Sequence, residues 1–204
     1  MSKRTKITAI IIVVAAAAII AAGATLAYFT ADGGTKTNTF STGSVTVKLT
    51  EPTWDSTGKA MAEKYGPGDV IPKDPQVKNI DKTDAWVAIK VKYSLNNEYM
   101  SYSDFQSKLL TNNGLDFDLQ NWTQLKDEGA NGQLYMYKTK KLAKDESTGA
   151  LFTKVPIAFG DIELINGQLP PFAIDVQGYG VQAENISKEQ AEQELINLAF
   201  GDNN

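Results

Sequence analysis

From residue 7 to residue 50 the chain passes through three segments of different chemical character, and that succession limits what the rest can become. Residues 7–27 are an uncharged run rich in alanine and isoleucine, preceded by Lys3, Arg4 and Lys6. Residues 28–42 (YFTADGGTKTNTFST) are polar and rich in glycine and threonine. In residues 44–50, Val45, Val47 and Leu49 alternate with Thr46, Lys48 and Thr50, the pattern of a half-buried strand with one wet face. A basic head, an apolar run and small residues at its end (Ala21, Ala22, Gly23, Ala24, then Thr25-Leu26-Ala27) have the layout of a secretory signal. Cleavage is expected after Ala27, with Tyr28 first in the mature chain; Ala22-Gly23-Ala24 is the other small-x-small site. Roughly 20 apolar residues also suffice to span a bilayer, but no basic stop-transfer flank follows the run. The expected organisation is a signal at 1–27, a mature N-terminal segment at 28–42 and one β domain at 43–204.

Composition narrows the chemistry. A chain of 204 residues can bury one real core. Loss of Lys3, Arg4 and Lys6 with the leader takes the formal charge from -4 to -7, a sign that disfavours nucleic acid and anionic lipid as partners. Cysteine is absent, so packing replaces a disulfide framework. Histidine is absent as well, which removes the commonest zinc ligand and the usual general base near neutral pH. Serine, cysteine and zinc hydrolases in their common forms are thereby excluded, and no cofactor is expected.

Beyond residue 50 the pattern is that of short strands between turns. Residues 51–70 read as a long connection with a helical turn in the charged stretch 59–65. Pro72 and Pro75 confine the next piece to an edge or loop, because proline cannot donate to a ladder; a short strand is expected around Val77 and Ile80. Ala85, Val87, Ile89, Val91 and Tyr93 alternate with Trp86, Ala88, Lys90 and Lys92 in the clearest strand. Ser103 is expected to cap a short helix through Leu110. Leu115, Phe117 and Leu119 alternate with Asp116, Asp118 and Gln120, predicting a strand to Trp122. Gly129-Ala130-Asn131-Gly132 then turns the chain into a return strand at 133–138. Residues 151–159 predict another strand, with Val155, Ile157 and Phe159 on one face. In the run from Phe172 the apolar parity changes between Val176 and Tyr179, which predicts a bulge or kink at Gly178 and Gly180. Ser187 and Gln190 have capping-box spacing and open a C-terminal helix to about Phe200, with Ala191, Leu195 and Leu198 as its stripe. The fold class implied is all-β, an antiparallel β-sandwich with short helical additions.

Few residues are suited to catalysis. Asp116 and Asp118 share one side of the predicted strand and suit an acid–base pair, or simply a solvated face. Asp32, Asp55, Asp69, Asp74, Asp81 and Asp84 sit in loops, but no spacing matches an EF-hand. Trp54, Trp86 and Trp122 suit either a carbohydrate platform or core packing, the more frequent use. On composition alone residues 28–42 read as a loose tail anchored by Tyr28-Phe29 and Phe40.

Several blocks, in order, resemble the TasA/camelysin family. They are Ala24-Thr25-Leu26-Ala27-Tyr28-Phe29-Thr30; Asn38-Thr39-Phe40-Ser41-Thr42-Gly43; Leu49-Thr50-Glu51-Pro52 with Trp54; Tyr65-Gly66-Pro67-Gly68; Ile71-Pro72-Lys73-Asp74-Pro75 with Val77 and Asn79; the strand from Ala85 to Val91; and Tyr179-Gly180-Val181-Gln182-Ala183-Glu184. Residues 92–170 carry little of it. The resemblance implies a jelly-roll-like sandwich, a leader cut by a SipW-type signal peptidase, and export into extracellular matrix or onto the cell surface. It also implies head-to-tail fibres in which the mature N-terminus of one subunit adds as a strand to the next. An accessory or anchoring matrix protein is a further implied partner. Carried onto this chain, the donor is residues 28–42, with Tyr28, Phe29, Thr30, Thr37, Thr39 and Phe40 as the assembly residues. Two other readings stand beside it: a camelysin-like surface metallopeptidase, for which the chain offers no histidine, and a monomeric surface or carbohydrate-binding module.

Overall fold

The computed structural model describes residues 39–42, 45–158 and 170–201. The expected signal, the Ala27–Tyr28 bond and Phe159 lie outside them. The described residues form an all-β, jelly-roll-like antiparallel sandwich. One sheet runs β1 (Thr39–Thr42), β2 (Val45–Thr50), β4 (Gln76–Asn79). The larger sheet runs β10 (Phe172–Gln182), β5 (Ala85–Leu95), β8 (Gln133–Tyr137), β7 (Trp122–Asp127), with β6 (Glu98–Met100) against the end of β5. A two-stranded sheet pairs β3 (Val70–Pro72) with β9 (Lys154–Pro156).

The alternation read in β2 and β5 is what closes the sandwich. Val45, Val47 and Leu49 face inward with Val87, Ile89, Val91 and Tyr93, and Ile71, Val77, Phe105, Phe152, Ile174 and Val176 complete this core. Tyr93 and Phe105 lie 5.3 Å apart ring to ring, and Phe117 stacks on Tyr135 at 4.8 Å.

The parity change in β10 has a different cause from a bulge. Pairing with β5 is unbroken from Phe172 opposite Leu95 to Gln182 opposite Ala85, so of the two expected irregularities at Gly178 and Gly180 the bulge is absent. Both faces of this strand are buried at its second half. Tyr179 and Val181 turn outward with Trp86 and Ala88 and are covered by helix α3 (Lys188–Phe200), whose buried stripe is Ala191, Leu195 and Ala199. The glycines face the other way, toward β2. A Cβ on Gly180 would stand 2.5 Å from Val47 Cγ1, whereas one on Gly178 would reach Val77 Cγ2 at 3.4 Å. Gly180 is therefore a close-approach glycine, permitting the sheets to meet.

The helix α3 begins with the expected capping box: Gln190 N–H donates to Ser187 Oγ, and Ser187 N–H donates to Gln190 Oε1. At its far end the Lys90 ammonium donates to the Ala199 carbonyl at 2.7 Å and lies 4.1 Å from the Phe200 ring centre, a cation satisfying a helix C-terminus. No helix among the described residues is long and apolar enough to cross a membrane.

Three other expectations shift. Helix α2 (Tyr102–Leu109) is capped by Ser101, not Ser103: Ser101 Oγ accepts from Asp104 N–H, and the Asp104 carboxylate accepts from the Ser101 hydroxyl. Residues 115–119 belong to no ladder, with a bend at Leu115 and a turn from Leu119; strand structure starts at Trp122. They meet residues 151–154 through one backbone bond, Asp118 N–H to the Leu151 carbonyl, and through the Asp116 carboxylate. The helical stretch after β2 starts earlier than residue 59, with a π-turn at Trp54–Gly58 running into α1 (Lys59–Ala62).

The close approach at Gly180 sets a discriminating expectation. Gly180→Ala should destabilise the domain by about 1–3 kcal/mol, the usual cost of overpacking, while Gly178→Ala stays near wild type. Urea unfolding of the two variants side by side checks this.

Candidate functional site

Two features of the first sheet merit attention: an edge and a buried charge cluster. β1 ends the sheet, with Thr39, Phe40, Ser41 and Thr42 opposite Lys48, Val47, Thr46 and Val45. The opposite edge, β4, is covered. Asn79 N–H donates to the Glu146 carbonyl, Thr148 N–H to the Val77 carbonyl, and Val77 N–H to Thr148 Oγ1. No strand covers the outer edge of β1 among the described residues. The direction of its backbone groups follows from Thr46. That residue donates its N–H to the Asp81 carboxylate, and its carbonyl accepts from Ile80 N–H, so both groups point toward β4. In an antiparallel ladder the residue opposite, Ser41, therefore directs its N–H and C=O away from β2, and Thr39 does the same two residues earlier. Of the expected assembly residues, Thr39 and Phe40 thus lie in a strand paired within their own chain. Tyr28, Phe29, Thr30 and Thr37 lie outside the described residues.

At the far end of β2 the chain buries a charge pair. Glu51 follows Thr50 directly, and Lys73 follows Pro72 at the end of β3; the Lys73 Nζ lies 2.7 Å from Glu51 Oε1, with the lysine side chain fully buried. The Trp54 ring lies 4.8 Å from the same ammonium. Asp74 closes the arrangement: its carboxylate accepts from the N–H and hydroxyl of Thr53 and from Trp54 N–H, at 2.7 to 3.1 Å. A carboxylate at the start of a helical turn satisfies donors that have no partner within it. Burial pushes the Glu51 carboxyl above its ordinary value, Lys73 opposes this, and Asp55 and Asp74 add to the rise. The TEP-W and KDP blocks of the sequence, 20 or so residues apart, are thus one packed unit (Lys73 to Glu51, Asp74 to Thr53 and Trp54).

No family model, curated protein or solved structure matches this chain.

The remaining candidates have structural roles. Asp116 accepts from Thr153 N–H, the Thr153 hydroxyl and Lys154 N–H, and Asp118 accepts from the Asn121 amide and from Gln120 and Asn121 N–H. Each is tied to a different loop, so they do not form an acid–base pair, nor do they line a solvated strand face. Asp69 accepts from Gly66 N–H, and Asp81 from Lys82 and Thr83 as well as Thr46. Among the described residues no group of three or more acidic side chains gathers in a way that could hold a metal ion; Asp32 lies outside them. The tryptophans are dispersed: Trp54 and Trp122 are in the inner core, Trp86 in the layer beneath α3. Core packing is their use, and they make no flat sugar-binding platform.

One buried acid escaped the sequence reading. Asp175, within β10, is 2% exposed; its Oδ2 accepts from the Tyr99 hydroxyl at 2.8 Å, while Oδ1 has no hydrogen-bond partner among the described residues. Lys92, opposite it in the register, holds its ammonium 3.7 Å from the Tyr99 ring centre. Burial raises the Asp175 carboxyl above its ordinary 3.8, against the lowering effects of Tyr99, Lys73 and Lys92. A raised value means that the folded state holds this proton more tightly than the unfolded chain does. Its contribution to stability is fully present below about pH 4 and is lost as pH rises through the raised value. The variant Asp175→Asn should therefore gain in melting temperature relative to wild type as pH is raised from 4 to 8. An unchanged difference across that range would refute the assignment.

Proposed function

We propose that this chain is a secreted structural subunit of extracellular matrix fibres or pili, which polymerises head to tail when the segment after its leader adds as a strand to the next copy. The observation that supports this best is the outer edge of β1. It is a terminal strand whose Ser41 and Thr39 direct backbone donors and acceptors away from the sheet. An exposed row of such groups is a template for another strand, and soluble proteins usually blunt it. Residues 28–38 lead directly into this strand, so a subunit carries a polar, β-tolerant segment next to an acceptor edge. Donor and acceptor are different surfaces, so the contact does not close on itself and propagates as a filament.

The resemblance to the TasA/camelysin proteins points the same way. Its blocks occupy mutually dependent positions: Glu51 with Lys73, Asp74 with Thr53 and Trp54, Gly180 against Val47. In this reading the protein is not an enzyme and takes no cofactor; its partners are other copies of itself, the signal peptidase and an accessory or anchoring matrix protein. Cleavage next to Tyr28 is the switch, since an uncut leader holds the donor at the membrane.

Electron microscopy of protein beginning at Tyr28 should show fibres. Deletion of residues 28–38 should give a folded monomer with a wild-type melting temperature and no fibres. Ser41→Pro, which removes one outward N–H from β1 and none facing β2, should also abolish fibres. Fibres formed by the deletion variant would overturn the donor assignment. Fibres formed by Ser41→Pro as readily as by wild type would overturn β1 as the acceptor edge.

A further inference from the structure

The Glu51–Lys73 contact has the geometry of a reaction as well as of an ion pair. The Lys73 side chain is fully buried and that of Glu51 is 5% exposed, with nitrogen and oxygen 2.7 Å apart. The carboxyl carbon is one bond beyond an atom that the amine already touches. Both side chains leave rigid points of the fold, the residue after β2 and the residue after β3, and Pro52 and Pro72 flank them. The Trp54 ring and the Asp74-capped turn close over the pair. A dry, fixed amine and carboxyl at contact distance meet the proximity condition for intramolecular acyl transfer.

We propose that Lys73 and Glu51 condense to an amide, so that the mature domain carries an intramolecular Lys–Glu cross-link. The step needs no oxidant and no cofactor. Within the pair a proton passes from the Lys73 ammonium to the Glu51 carboxylate, which leaves a neutral amine and a neutral acid. Two buried opposite charges already face a large desolvation cost, so the neutral pair is within reach. Burial also favours the protonated form of Glu51, and the neighbouring Asp55 and Asp74 reinforce it. The Nζ lone pair then attacks Cδ to form the C–N bond. One Nζ proton moves to the departing hydroxyl, the C–O bond breaks, and one water leaves. Atoms balance: one carboxyl and one amine become one secondary amide and water.

The cross-link is distinct from strand addition at β1. It ties the exit of β2 to the exit of β3 within one chain and gives a cysteine-free β domain a covalent clasp. Its position beside the sheet that carries β1 places it where a pull on that sheet would be resisted.

Mass spectrometry of the folded mature protein, with its N-terminus determined, tests this directly. The intact mass should fall one water short of the sequence mass. A tryptic digest should contain residues 49–59 joined to residues 65–78, because an acylated Lys73 is no longer a cleavage site. Lys73→Arg keeps the cation but removes the amine, and it should restore the full mass. A wild-type protein of full sequence mass that releases residues 49–59 and 65–73 as separate peptides overturns the proposal, whatever the variants do. A loss of water that survives in Lys73→Arg also overturns it, since the loss then lies elsewhere, for instance at Asp32-Gly33.

Discussion

A buried lysine is the point on which this end of the sandwich depends. Nothing in a β-sandwich core can solvate an ammonium, so a buried Lys73 needs the contacts that Glu51 and the Trp54 ring provide. That requirement specifies how the exit of β2, the turn at Trp54–Gly58 and the exit of β3 come together. Asp74 adds direction by satisfying the donors of Thr53 and Trp54. Loss of Glu51 would leave a buried ammonium without the carboxylate it touches, a cost that apolar packing alone does not impose.

The second constraint is distance between layers. Gly180 lets β10 come close to Val47, and through it the larger sheet meets the sheet that carries β1. The same strand is buried on its other face by α3, which is held at one end by the Ser187–Gln190 box and at the other by Lys90. β10 is thus the central layer of the molecule over its second half, and β1 lies at the rim. Among the described residues no strand covers that rim, which is what the proposed assembly requires.

How far the sequence showed this varies with the kind of interaction. The strands at 45–50 and 85–93, the hairpin at Gly129–Asn131 and the capping box at Ser187 were legible because each depends on alternation or a fixed local offset. Residues 115–119 read as a strand by the same alternation, yet form no ladder: Asp118 N–H reaches the Leu151 carbonyl, but the Asp116 carboxylate takes the N–H groups of Thr153 and Lys154. The parity change at Gly178 and Gly180 was visible but its cause was not. The C-terminal helix buries Tyr179 and Val181, and local patterning does not say that this helix folds back onto the strand. Asp175 and the Glu51–Lys73 pair look like ordinary strand-end and loop charges until residues far apart are brought into contact.

By itself, then, the sequence determined the all-β class, the placement of most strands and the exclusion of histidine- and cysteine-based chemistry, since period-two patterning and composition are local properties. Tertiary structure alone decided which charges are buried together, which glycine lets the sheets approach and which strand is left at the rim. Those depend on the pairing of residues distant in the chain, and the free energy of burial is settled only when they meet.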